Sequence, residues 1–131
     1  EFNAPVVAIN LKPRSGPIVV KIEYLIRERN VEAFLDLMRQ RRHVHSRVGA
    51  RNWTLQRNLQ KPVQWIETFR TPTWTDYLRL NHRLTTVDKA LEERILHLQE
   101  GGLGSEITLW IERPTRPARD VEQSTPYFPG H

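Results

Sequence analysis

Residues 18–26 alternate strictly between two kinds of side chain. Ile18, Val20, Ile22, Tyr24 and Ile26 fall on one face and Val19, Lys21, Glu23 and Leu25 on the other, which predicts a half-buried β-strand. From Asn30, a residue able to cap a helix, the period changes. Phe34, Leu37, Met38 and Arg41 recur at helical spacing, with the stem of Arg41 along the core edge, and the helix runs to about His45 before Gly49 stops it. Residues 52–59 return to strand character, with Trp53, Leu55 and Arg57 on one face. After a turn over residues 58–62, Val63, Trp65, Glu67 and Phe69 form one face of a further strand that Pro72 ends, and the two strands should pair as an antiparallel hairpin. Thr73, with Asp76 three residues on, caps a helix to about Arg83. Thr85 or Thr86 restarts a helix whose stripe is Val87, Leu91, Ile95 and Leu98, and Gly101, Gly102 and Gly104 end it. Residues 107–112 make the last strand, with Ile107, Leu109 and Ile111 inward.

The order β-α-β-β-α-(α)-β is the split βαβ arrangement of the α+β, ferredoxin-like class. It predicts a four-stranded antiparallel sheet with helices on one face. The other face would carry Val19, Leu25, Trp110 and parts of the central hairpin. A face that apolar calls for a cover, and a second copy is the simplest one, so a homodimer through the sheets is expected. Residues 1–16, broken by Pro5, Pro13 and Gly16, read as a linker. Residues 17–113 are the domain, and residues 114–131, rich in Pro, Arg, Asp and Gln, read as a mobile tail.

Composition narrows the function. The 131 residues suffice for one domain with a real core. No cysteine is present, which excludes disulfides, thiolate metal sites and cysteine nucleophiles. No apolar run approaches the roughly 20 residues of a membrane-spanning helix. The N-terminus lacks the basic-then-apolar pattern of a signal peptide, and Glu1 in place of methionine points to a fragment or a processed chain. The formal charge of +5 suits nucleic acid, an anionic membrane surface or an acidic partner. The basic cluster of Arg39, Arg41, Arg42, Arg47 and Arg51 reads as a solvated helix end or as a contact with anionic lipid head groups. No aromatic residues interleave with these arginines, so nucleic acid is not expected as a partner. His43 and His45 point apart on a helix, and His97 sits near a helix end. No metal site is expected from them. Residues 101–104 follow a helix and therefore make a flexible connection, not a phosphate loop. Glu67 shares a face with Trp65 and Phe69 and needs a partner, for which Arg57 on the neighbouring strand is the candidate.

Segments spread over most of the chain also carry a resemblance. GPIVVKIEYLI, EAFLDLMRQRR, GARNWTL, WIETFRTPTWTDYLRLNHRLTTVDKALEERI and ITLWIERPT resemble, in order, the soluble C-terminal extension of bacterial major-facilitator transporters of the enterobactin-exporter-like, or transmembrane secretion effector, type. The arrangement of elements also looks like the dimeric α/β-barrel domains of antibiotic-biosynthesis monooxygenases. The first resemblance implies a non-catalytic accessory and dimerisation domain without a cofactor. Its partners would be a second copy and the transporter's membrane-embedded part, at the cytoplasmic face of the inner membrane. The second implies an alternative, a small cofactor-independent or haem-dependent monooxygenase with Trp65, Asn81 and His82 near a cavity between sheet and helices. Haem-degrading members of that class also use an asparagine on the first strand, where this chain has Lys21 and Glu23. Trp74 beside this set reads equally as a tryptophan packed between helix and sheet.

Overall fold

The computed structural model describes residues 5–102 and 105–115. The central strand β1 (Ile18–Leu25) alternates buried and half-buried residues along its whole length. It is followed by α1 (Val31–Arg47), the hairpin of β2 (Arg51–Arg57) and β3 (Gln64–Thr71), α2 (Trp74–His82), α3 (Thr86–His97) and β4 (Glu106–Ile111). The strands form one antiparallel sheet in the order β2-β3-β1-β4. This is the ferredoxin-like α+β fold expected from the pattern of elements. Ile18, Val20, Ile22 and Tyr24 of β1 meet Phe34, Leu37 and Met38 of α1, Trp65 and Phe69 of β3, Leu80 of α2, and Leu91 and Ile95 of α3 in one core.

The helix starts follow from local chemistry. Thr73 Oγ1 accepts from the Asp76 backbone N–H at 3.2 Å, and Thr85 and Asp88 form a complete capping box. Asn30 stands at the N-cap of α1 but its side chain makes no capping bond. A short 3-10 turn over Glu28–Asn30 leads into that helix instead. Helix α1 continues to Arg47, and Gly49 follows at φ 106°, a conformation that favours glycine. The expected strand over 52–59 is shorter. It ends at Arg57 because Asn58 Oδ1 accepts the backbone N–H groups of Gln60 and Lys61 and turns the chain. The stripe of α3 is also displaced. Val87 is 78% exposed, and the capping box brings Asp88 inward in its place.

Strand β2 carries one irregularity with consequences for the interior. Its register against β3 shifts by one residue between Arg51 and Thr54, where Asn52 takes φ 53°. Such a bulge re-aims side chains, and here the indole of Trp53 reaches the inner face of the sheet. The lead-in also makes defined contacts. Carbonyls of Ser15 and Pro13 accept the backbone N–H groups of Trp74 and Thr75 at 2.6 and 3.0 Å, satisfying two free donors of the α2 N-terminus. Gly16 lies so close to the Pro72 carbonyl that a Cβ there would stand 2.2 Å from its oxygen. The tail expected over 114–131 lies outside the described residues from 116 onward.

Candidate functional site

A charged cluster forms where α1 crosses the sheet. Glu67, on the inner face of β3, is fully buried. The Nε of Arg41 donates to both of its carboxylate oxygens at 2.8 Å, Tyr24 Oη donates to Oε1 at 2.8 Å, and Trp53 Nε1 donates to Oε2 at 2.6 Å. Burial alone would raise the pKa of Glu67. The charge of Arg41 and these hydrogen bonds outweigh it, so the carboxyl is held below its usual range. Burial and the adjacent carboxylate push the Tyr24 phenol well up. Burial opposes the charge of Arg41, but Glu67 prevails and raises its pKa. Arg41 also faces Glu92, at 3.4 Å. A carboxylate receiving this many donors is a structural anchor and has little capacity to act as a base.

The expected Arg57–Glu67 pair does not form. In the register Leu55 stands opposite Glu67, and Arg57 stands opposite Trp65. Arg57 lies over the Trp65 ring at 4.8 Å and binds Glu28 and the Pro62 carbonyl. Arg41 takes the carboxylate from above. Arg41 therefore does not belong to the exposed basic cluster in which its sequence neighbours placed it. The signal was present in the helical stripe. Arg41 and His45 continue the positions of Phe34, Leu37 and Met38, and a charge on a buried stripe requires a buried partner.

Beside this cluster lies a cavity of about 350 Å³ between the sheet and all three helices. Val20, Phe69 and Ile107 form its sheet side and Leu80 and Tyr77 its helix side, with Arg41, His45 and Glu92 as polar lining. His45 is 3% exposed. Its Nδ1 lies 3.1 Å from the Arg41 carbonyl oxygen, which can only accept, so Nδ1 carries the hydrogen and Nε2 the lone pair. Burial, then the charge of Arg41, pushes the His45 pKa down to about 4, which keeps the imidazole neutral at pH 7. The His45 and Phe69 rings are 5.0 Å apart.

Of the residues expected at an enzymatic site, only Asn81 lines this cavity. Trp65 is buried elsewhere, edge-on to Phe34 at 5.5 Å and beneath Arg57, and its Nε1 has no partner among the described residues. His82 is exposed at the end of α2. Trp74 stacks on Tyr77 at 5.2 Å. The cavity is lined by Asn81 but not by Trp65 or His82, so these three residues do not together frame a haem there. His45 is the residue the sequence reading missed, because it was weighed only with His43 as a metal ligand.

The opposite face of the sheet presents Val19 and Leu25, both half-buried, and Trp110, which is 57% exposed. Val19 pairs directly with Trp110 across β1 and β4. The Lys21 ammonium lies 5.5 Å from the indole centre, and Trp110 Nε1 donates to Thr108 Oγ1. Leu25 stands toward the other end of β1, roughly 20 Å along the strand. Of the basic cluster, Arg39, Arg42, Arg47 and Arg51 are exposed. Arg39 pairs with Asp36, Arg47 pairs with Asp88, and Arg42 lies over Trp53 at 5.6 Å.

The fold defines a class of small α+β domains that known structures share. A conserved protein from Methanosarcina mazei has a TM-score of 0.65 and 11% identity, over 77% of this chain and 97% of that one. SnoaB, a cofactor-independent oxygenase from Streptomyces nogalater, gives 0.63 and 15%, over 79% and 99%. An antibiotic biosynthesis monooxygenase gives 0.61 and 15%, over 74% and 99%. At such identities the likeness is one of fold. No curated protein sequence is significantly similar to the chain. The sequence pattern of the transmembrane secretion effectors matches residues 1–117, and the chain belongs to that major-facilitator family. No helix among the described residues is long and apolar enough to cross a membrane.

Proposed function

We infer that this chain is a non-catalytic accessory domain of a bacterial efflux-type membrane transporter, placed at the cytoplasmic face and self-associating through its sheet. The observation that carries this reading is the family match over residues 1–117, which takes in the whole sheet and all three helices. The uncovered sheet face supports the dimer. Val19, Trp110 and Ile66 give it apolar area, and Lys21 and Glu23, two apart on the central strand, give it a self-complementary charge pattern. A two-fold axis across β1 sets Lys21 against Glu23 of a second copy. The exposed arginines at the end of α1 and the start of β2 suit anionic head groups beside the carrier. The coding sequence upstream of Glu1 tests the reading. It predicts two sets of about six apolar spans, the halves of a major-facilitator carrier. A soluble protein or an initiator methionine immediately upstream would overturn it.

The monooxygenase alternative rests on shared fold. Of its residue set, Asn81 lines the cavity, and Trp65 and His82 do not. Titration with haem is expected to give no saturating Soret shift. A shift saturating at one equivalent and lost in His82→Ala would establish the alternative.

A further inference from the structure

Three large apolar side chains of the lead-in stand out in solvent. Val6 is 96% exposed and Ile9 56%, with Val7 exposed between them. A lone apolar residue on a surface is ordinary, but three within four positions call for a cover. Lys12 and Arg14 follow within five residues, both exposed, and no acidic residue occurs over positions 2–22. Neither cation pairs with a carboxylate among the described residues. Their backbone is nevertheless fixed. The Lys12 carbonyl accepts the Ser15 N–H and Ser15 Oγ accepts the Lys12 N–H, both at 3.0 Å, which closes a turn. The Pro13 carbonyl also accepts from Thr75 Oγ1 at 3.0 Å, beside the bonds that Pro13 and Ser15 make to the first turn of α2. Lys12 and Arg14 are thereby held at the end of the sheet where β1 begins and β3 ends.

The same end of the sheet carries further cation. Arg51, on the edge strand β2, stands directly opposite Arg70 of β3. Like charges so placed repel, and among the described residues only Arg70 of the two has a carboxylate, Glu112 at 3.3 Å. The far end of the sheet has the opposite bias. There Glu23 stands opposite Glu106, and Arg27 and Arg57 are matched by Glu100 and Glu28. Apolar side chains beside unmatched cations suit a surface that is anionic outside and apolar beneath. Membership of a membrane-carrier family puts such a surface within reach. We propose that the lead-in is a strap on an anionic phospholipid bilayer, with Val6, Val7 and Ile9 in the head-group layer and Lys12, Arg14 and Arg51 on its phosphates. Residues 5–12 form no helix or strand, so their backbone groups keep the strap at interfacial depth. The proposal rests on the accessory-domain reading and names the end of the domain that meets the membrane.

The test uses the full chain, whose lack of cysteine lets one introduced thiol carry an environment-sensitive fluorophore. Val6→Cys reports on the strap. Leu59→Cys, exposed in the turn between β2 and β3, and Val87→Cys, exposed on α3, report on other surfaces. With phosphatidylglycerol vesicles the label at position 6 should shift to the blue and brighten, and the labels at 59 and 87 should not. Phosphatidylcholine vesicles should leave all three unchanged. Lys12→Gln and Arg14→Gln, each added to Val6→Cys, should weaken partitioning into phosphatidylglycerol by about fivefold. A silent label at position 6, equal shifts at all three positions, or an equal response to both lipids would overturn the proposal. A shift that grows with protein concentration in the absence of vesicles would also overturn it, by giving the strap to a second copy. The upstream coding sequence decides the accessory reading separately. Carrier spans upstream with a silent label at position 6 would remove the strap and leave that reading in place.

Discussion

Replacing Glu67 by Gln keeps the size and most of the hydrogen-bonding capacity of the side chain but removes its charge. Arg41 would then remain buried beside Glu92, at 3.4 Å, without the carboxylate it binds at 2.8 Å. Breaking a buried ion pair from one side costs about 3–5 kcal/mol, most of it the penalty of the charge left behind. The fold spans roughly 110 described residues, so an unfolding entropy of about 2.1 cal/mol/K per residue converts this loss to a fall in Tm of about 13–22 °C. The same reasoning predicts coupling. Arg41→Met removes the stranded charge, so the double variant Arg41→Met/Glu67→Gln should be more stable than the sum of the single losses by about 2 kcal/mol or more. It should not regain wild-type stability, because Tyr24 and Trp53 donate to different carboxylate oxygens and an amide keeps only one acceptor oxygen for the two of them. Urea denaturation of the four proteins measures the cycle. A Glu67→Gln loss below about 1 kcal/mol, or additivity within about 0.5 kcal/mol, would refute a charge-paired core.

Three further outcomes are expected. With a folded pKa of about 4 against 6.5 for a free imidazole, His45 binds fewer protons in the native state between these values, so its contribution is present above pH 6.5 and lost as pH falls toward 4. At pH 5 the wild type should have lost about 2 kcal/mol relative to pH 7 on this account, and His45→Phe should lack that part of the slope, as urea titrations at several pH values would record. Gly16→Ala should destabilise by about 1–3 kcal/mol, because its Cβ would sit 2.2 Å from a backbone oxygen that cannot swing aside; an unchanged melting curve would disprove the docked geometry of the lead-in. Reversing the exposed Arg42 and Arg51 to Glu should lower co-sedimentation with phosphatidylglycerol vesicles at low salt while leaving binding to neutral vesicles unchanged, and equal binding by both proteins would rule out head-group contact.

The sheet and its order were legible because β1 alternates without a break and each helix begins at a threonine or asparagine before an apolar stripe. The buried cluster was only half legible. The position of Glu67 among large apolar residues demanded a cation, but the choice between Arg57 and Arg41 turned on register and a bulge. A one-residue shift at Asn52 places Leu55 opposite the carboxylate. Such a shift leaves no trace in alternation. Val87 misled because the capping box of Thr85 and Asp88 fixes which side of the first turn of α3 faces inward, and local capping overrides a stripe of only four residues. The cavity was not legible at all. Its volume depends on how far α2 and α3 stand from the sheet, and His45 lines it one helical turn beyond Arg41.

The central claim is that the exposed sheet face joins two copies of the domain. Sedimentation equilibrium at micromolar concentration tests it most directly, with wild type, Trp110→Glu, and Val87→Glu as a control at the 78% exposed position on α3. A standard interface buries about 1,600 Å² in total, and a charge placed at its centre is poorly tolerated. The account predicts dimers for wild type and Val87→Glu and a shift to monomer for Trp110→Glu with its melting temperature nearly unchanged. A wild type that sediments only as a monomer, or a Trp110→Glu dimer as tight as the wild type, would contradict it.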